Sequence, residues 1–195
     1  MAKTEMGLSG EPKEAERKRW TRDECRQLLE MGILGEARFE LIGGDIVPKM
    51  TQHERHIYTC KQVQKALEAI FGTDYVRLAA PIAIGEYEEP EPDAAVMQRP
   101  LIDYLRLGTP LPAEARLAVE VSDRTLRQDL NAKKVQYGRA GIPEYWVINI
   151  NARTLHVFRE PTENGYAQEA ILSSDSAVTP LAAPSAAVAV ADLLP

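Results

Sequence analysis

Two charges in this chain stand where apolar residues are expected. Glu120 interrupts the strand-like run at 117–122, and Lys133 interrupts the apolar stripe of the helix-like segment that follows. Strand alternation sends Leu117, Val119 and Val121 to one face and Ala118, Glu120 and Ser122 to the other. A carboxylate on that second, small-residue face is costly unless it is wet, paired or bound to a cation. Asp93, between Pro92 and the apolar run at 94–97, supplies another inward acid. Carboxylates converging from two strands are the hard oxygen donors that Mg²⁺ or Mn²⁺ prefers, so the pattern points to a divalent-metal centre. An edge strand with one wet face, or an ion pair without chemistry, are the alternatives these residues leave open.

The elements that must position these groups follow from periodicity. Leu126, Leu130, Tyr137 and Ala140 form a helical stripe that includes Lys133, while Lys134 lies at its border and snorkels to water. Asp129 precedes Lys133 by one turn, near enough to pair with it or orient it. Thr21 and Glu24 form a capping box for a helix running through Leu28 and Leu29 toward Gly32 and packing by those leucines. Residues 38–50 read as a hairpin turning at Gly43 and Gly44, with Glu40 in its first strand. Ile57, Cys60, Val63, Leu67 and Ile70 mark an amphipathic helix over 54–70, with His53 and His56 at its entrance. Strands are predicted at 75–78, 82–84, 94–97, 154–158 and 166–171, and a short helix at 101–107. The Ala-, Val-, Ser- and Pro-rich tail from Ser173 either adds an edge strand near 187–190 or lies over the core.

A chain of 195 residues without a composition break predicts one domain. Its expected extent is 20–195, with a core at about 38–160, behind a tail at 1–19 whose mixture of charge, Gly and Pro predicts disorder. The net charge of −6 excludes a broad basic surface, so any nucleic-acid contact must be local or bridged by metal. The patch Lys13, Arg17, Lys18 and Arg19 reads as solvated charge. Cys25 and Cys60 form no CxxC pair and read as reduced thiols, not as a disulfide or a structural zinc site. With no signal-like or membrane-length apolar run, a cytoplasmic protein without membrane association is expected.

The segments EPEPDAAVM and AVEVSDRTLRQDLNAKKVQYGRAGIPEYWVI, with FELIGGDIVPKMTQHERH upstream, resemble the bacterial "Uma two" family of restriction endonucleases, a branch of the PD-(D/E)xK nuclease-like superfamily. The resemblance covers roughly residues 39–158. It implies an α/β protein with a restriction-endonuclease-like core, a central mixed β-sheet flanked by α-helices. It also implies hydrolysis of DNA phosphodiester bonds with Mg²⁺ or Mn²⁺ as cofactor, Asp93 and Glu120 as metal ligands, and an assisting lysine. The plain motif has that lysine two residues after the acid, where this chain has Ser122. In the family the lysine has migrated to the following helix, which agrees with the inward phase of Lys133. Glu40 and His56 match the family's upstream segment. Glu40 would add a metal carboxylate or orient a water, and His56 would bind phosphate or transfer a proton. Their structural alternatives are a hairpin-rim residue and a helix-entry hydrogen bonder. Cutting two strands usually takes two sites, so a homodimer is expected. The competing expectation is a catalytically vestigial module of the same fold that binds nucleic acid or protein.

Overall fold

A computed structural model describes residues 17–35, 38–49 and 52–195. The tail expected to be disordered falls mostly outside these residues, as do Lys13 and Met50. The capping box at Thr21 starts α1 (Arg22–Glu30): the Glu24 N–H donates to Thr21 Oγ1, and the Thr21 N–H donates to the Glu24 carboxylate. Of the two leucines expected to pack this helix, Leu28 is half-buried and Leu29 is exposed. Arg22 N–H bonds the Glu86 carbonyl at 2.8 Å, and the buried residue of the helix is Cys25.

Strands β1 (Phe39–Ile42) and β2 (Asp45–Pro48) form the predicted hairpin, with Gly43 and Gly44 at φ 59° and 88°. Helix α2 (Glu54–Phe71) buries Val63 and Leu67, but Ile57 at its start faces solvent. Strands β3 (Val76–Leu78) and β4 (Ala94–Met97) pair antiparallel. The strand expected at 82–84 is absent. Ile82 and Ala83 donate to the carbonyls of Pro90 and Pro110, and a proline has no N–H to return, so no ladder can grow there. A 3₁₀ turn at Leu101–Asp103 leads into the short α3 (Tyr104–Leu107).

Next come β5 (Ala115–Ser122), then α4 (Leu126–Gln128), a π turn (Asp129–Lys133) and α5 (Lys134–Arg139). Strands β6 (Glu144–Asn149), β7 (Thr154–Thr162) and β8 (Gly165–Ser173) complete a six-stranded sheet of order β3-β4-β5-β6-β7-β8. Only the β5–β6 pair is parallel, so the sheet is mixed. β5 lies inside it, which removes the wet edge strand as an account of Glu120. The tail's strand joins a separate two-stranded sheet, β9 (Ala177–Val178) with β10 (Val188–Ala189), and leaves the main sheet unextended.

Helix α2 and the tail cover one face, where Val63 and Leu67 meet Val119, Val121 and Trp146, and Val190 and Leu193 close the edge. On the other face Tyr137 of α5 packs with Ala118, Tyr145 and Phe158. Here α5 comes down to backbone contact, since a Cβ on Gly138 would fall 1.9 Å from the Gly165 carbonyl oxygen. Gly138→Ala is therefore expected to cost about 3 kcal/mol through forced displacement of the helix. A urea titration should show a lower midpoint at unchanged slope; an unchanged midpoint would mean that the helix rides freely over β8.

Candidate active site

The parallel pair β5–β6 ends where β1, the start of β4, the first turn of α2 and the π turn converge. Antiparallel register sets Ala94 opposite Val119, so Asp93 and Glu120 arrive side by side from neighbouring strands. Glu40 enters from β1, His56 from α2 and Lys133 from the π turn, a wide i→i+5 turn of a kind frequent at functional sites. All five predicted residues line one cleft of about 290 Å³. Four of them, Glu40, Asp93, Glu120 and Lys133, are buried.

The Lys133 ammonium donates to Glu120 Oε1 at 2.8 Å and to Glu40 Oε1 at 3.0 Å, with Asp129 Oδ1 at 4.0 Å. Burial alone would disfavour its charge, but Glu120, Glu40 and Asp129 outweigh burial and hold the ammonium above its ordinary range. Burial pushes the Glu120 carboxyl well up, only partly offset by Lys133. Asp93 shows the opposite balance. Burial pushes it up, yet the His56 ring at 3.3 Å and the Val121 N–H at 2.8 Å bring it below the ordinary carboxylate range. His56 is raised in return: burial lowers it, and the Asp93 contact more than compensates.

Sequence reasoning missed part of the constellation. The Tyr137 hydroxyl donates to Glu120 Oε1 at 2.9 Å, and burial keeps that phenol protonated. Its signal was the four-residue step from Lys133, which carried Tyr137 to the same inward side. Ser122, standing where the plain motif has lysine, donates to Asp129 Oδ2 at 2.6 Å, as does Thr125. Lys49, directly after β2, reaches the Glu91 carbonyl at 2.8 Å and lies 3.7 Å from Glu40. The sequence reads Cys60 as an apolar helix position and a reduced thiol, with no part in a metal site. Its sulfur lies 3.4 Å from His56 Nδ1, and His56, Cys60 and Asp93 are the one trio of metal-type donors within 4.8 Å of one another among the described residues. Lys134 stays at the border as expected, 5.2 Å above the Phe158 ring.

The donor set suits a hard divalent cation. Asp93 Oδ1 and Glu120 Oε2 accept no hydrogen bond among the described residues, and both side chains line the cleft. The second oxygen of Glu40 is likewise uncommitted, while its first is fixed by Lys133 and the Glu91 N–H.

A six-stranded mixed sheet with helices on both faces, and an acid, acid and lysine cluster at the end of its parallel pair, define a nuclease-like α/β protein of the restriction-endonuclease type. The solved structure of a "putative nuclease belonging to DUF820" from Anabaena variabilis ATCC 29413 has the same fold, with a TM-score of 0.65 at 18% identity over 89% of this chain and 96% of that one. Residues 23–191 match the model of the Uma2 family, described as "Putative restriction endonuclease", and the chain belongs to that family. No curated protein matches it. No helix of the described residues is long and apolar enough to cross a membrane.

Proposed function

We propose that the protein is a divalent-metal-dependent endonuclease that hydrolyses phosphodiester bonds in DNA, with the lysine of its PD-(D/E)xK site relocated to the helix after β5. The observation that carries this reading is the meeting of Asp93, Glu120 and Lys133 in one cleft, with an uncommitted oxygen on each acid. Asp93 and Glu120, with Glu40 beside them, would hold Mg²⁺ or Mn²⁺. Such an ion, when bound, polarises the scissile phosphate and lowers the pKa of a water.

The chain's own residues divide the remaining work. Lys133 keeps its proton, so it acts as a hydrogen-bond donor to charge developing on the phosphate and not as a base. Tyr137 pins one oxygen of Glu120 and leaves the other for the cation. Asp129, gripped by Ser122 and Thr125, steadies the turn that presents Lys133. His56, charged more readily than an ordinary imidazole, is suited to protonate the leaving oxygen. The expected homodimer and cytoplasmic location belong to this proposal and are checked by sedimentation and fractionation.

The direct test is nicking of supercoiled DNA by the purified protein with Mg²⁺ or Mn²⁺ and with chelator. Cutting that persists in chelator would refute metal dependence.

A second reading, a vestigial module that binds nucleic acid or protein, is favoured by one observation. Lys133 already satisfies one oxygen on both Glu120 and Glu40, in a closed ion cluster. Calorimetry with Mn²⁺ separates the two readings. An active site should bind the ion and lose it in Glu120→Gln, whereas a vestigial one should show no difference between the two proteins. Because burial disfavours the Glu120 charge, Glu120→Gln is also expected to raise stability at neutral pH by about 1 kcal/mol, the usual trade against function.

A further inference from the structure

We propose that His56, Cys60 and Asp93 form a second cation site, for a thiophilic divalent ion of the Zn²⁺ class, and that its occupation excludes a hard cation from Asp93. The site itself stands on the geometry of three side chains. Only the exclusion rests on the nuclease reading above.

His56 and Cys60 are four residues apart on α2, so they share a face one turn apart, the spacing by which helices present paired metal ligands. Tetrahedral zinc with Zn–S near 2.3 Å and Zn–N near 2.0 Å sets its sulfur and nitrogen about 3.5 Å apart. Cys60 Sγ and His56 Nδ1 are 3.4 Å apart without an ion. Asp93 comes from the head of β4, with Oδ2 3.3 Å from His56 Nε2 on the other side of the ring from Cys60. All three donors lie within 4.8 Å of one another, so a turn of the imidazole brings one nitrogen, the sulfur and the carboxylate onto a single ion. The Val121 N–H already holds the Asp93 carboxylate in place, the kind of outer support that fixes a metal ligand.

The donor chemistry separates this site from the hard-cation site. A thiolate and an imidazole suit Zn²⁺, and a thiolate is a poor ligand for Mg²⁺. Three protein donors with His56 and Asp93 at the cleft leave a fourth position facing open space, the form of an exchangeable site and not of a closed structural one. The surrounding field attracts cations, since five carboxylates line the cleft against three lysine and arginine side chains. Burial pushes the Cys60 thiol up, so the ion must take the place of its proton on binding. The two sites share Asp93. An ion drawn toward His56 and Cys60 therefore removes one of the three carboxylates from the other site, and Zn²⁺ becomes a competitor of Mg²⁺.

The test is titration of the metal-free full chain with Co²⁺ as a spectroscopic stand-in for zinc. A thiolate-to-cobalt charge-transfer band in the near ultraviolet should saturate at one equivalent. It should vanish in Cys60→Ser and weaken in His56→Gln, persist in Cys25→Ser, and be erased by Zn²⁺ at one equivalent but not by equimolar Mg²⁺. Circular dichroism verifies that each variant is folded. A band absent from the wild-type protein, or surviving in Cys60→Ser, would overturn the site. Where cleavage is observed, Zn²⁺ should suppress it in competition with Mg²⁺, and Cys60→Ser should relieve the suppression; Zn²⁺ without effect would overturn the exclusion. A normal cobalt band in a protein that cleaves nothing would uphold the site and count against the nuclease reading alone.

Discussion

Lys133→Ala is expected to cost about 3–5 kcal/mol of folding stability, because it strands buried carboxylates without their shared counter-ion. Glu120 and Glu40 lie within 3.0 Å of that ammonium, and Asp129 is 4.0 Å away. Lys49, 3.7 Å from Glu40, is the nearest other ammonium and touches neither Glu120 nor Asp129. Thermal unfolding should show the loss as a fall in Tm of about 10 °C for a chain of this size.

The pH dependence has a definite sign. A carboxyl whose pKa is raised in the folded state favours folding in acid and loses that contribution as pH rises through the raised value. Glu120 and Asp129 are both raised, burial being the main cause, and loss of Lys133 raises them further. The deficit of the variant should therefore shrink as pH falls below neutrality. Adding Glu120→Gln to Lys133→Ala should recover a large part of it. A single variant as stable as the wild type would mean that the acids are already protonated or wet, and Lys133 would lose its place as the keystone of the cluster. For activity assays the corollary is practical, because an inactive Lys133→Ala protein must first be shown to be folded.

Asp93→Asn is expected to reduce metal-dependent nicking by about 100- to 1,000-fold, the range for removing one preorganised electrostatic group from a reacting centre. Its effect on stability should be modest. The amide oxygen of asparagine can still accept the Val121 N–H, and the two side chains are alike in shape. A second readout distinguishes this from a general loss of structure. In the wild-type protein the Asp93 contact outweighs burial and raises His56. With asparagine, burial and Lys49 lower His56 against the Asp123 charge alone, so the His56 titration followed by NMR should fall from its wild-type value. A variant that retains full nicking would remove Asp93 from the site, and an unmoved His56 would remove the pairing.

Charges breaking an apolar period were the legible part of the site. Glu120 and Lys133 announced themselves because strand and helix phases are short-range properties, and both phases held in three dimensions. What a side chain meets at its far end is a tertiary fact, and there the reading ran out. Tyr137 was assigned to the correct face, yet nothing local shows that its hydroxyl ends on Glu120. Glu144, in the run GIPEYW, carries no local sign of its partners. It is wholly buried, accepting from Arg159, from the Trp146 indole and from the Leu181 N–H, an anchor that depends on where the distant tail settles. The strand expected at 82–84 failed because the partners its N–H groups found were prolines, Pro90 eight residues on and Pro110 far beyond it. The π turn leaves no mark on a uniform 3.6-residue period.

That turn sets a condition on how this protein can change over evolutionary time. Each residue added to or removed from an α-helix rotates everything beyond it by about 100°. Upstream, Asp129 is tethered to the end of β5 through Ser122 and Thr125; downstream, Gly138 is docked on Gly165. The π turn takes up the angular offset between these two moorings, with Lys133 facing the acids in between. Indels between 129 and 133 should therefore be purged from descendants even at solvent-facing Ala132, because spacing and not side-chain identity is what selection would see there.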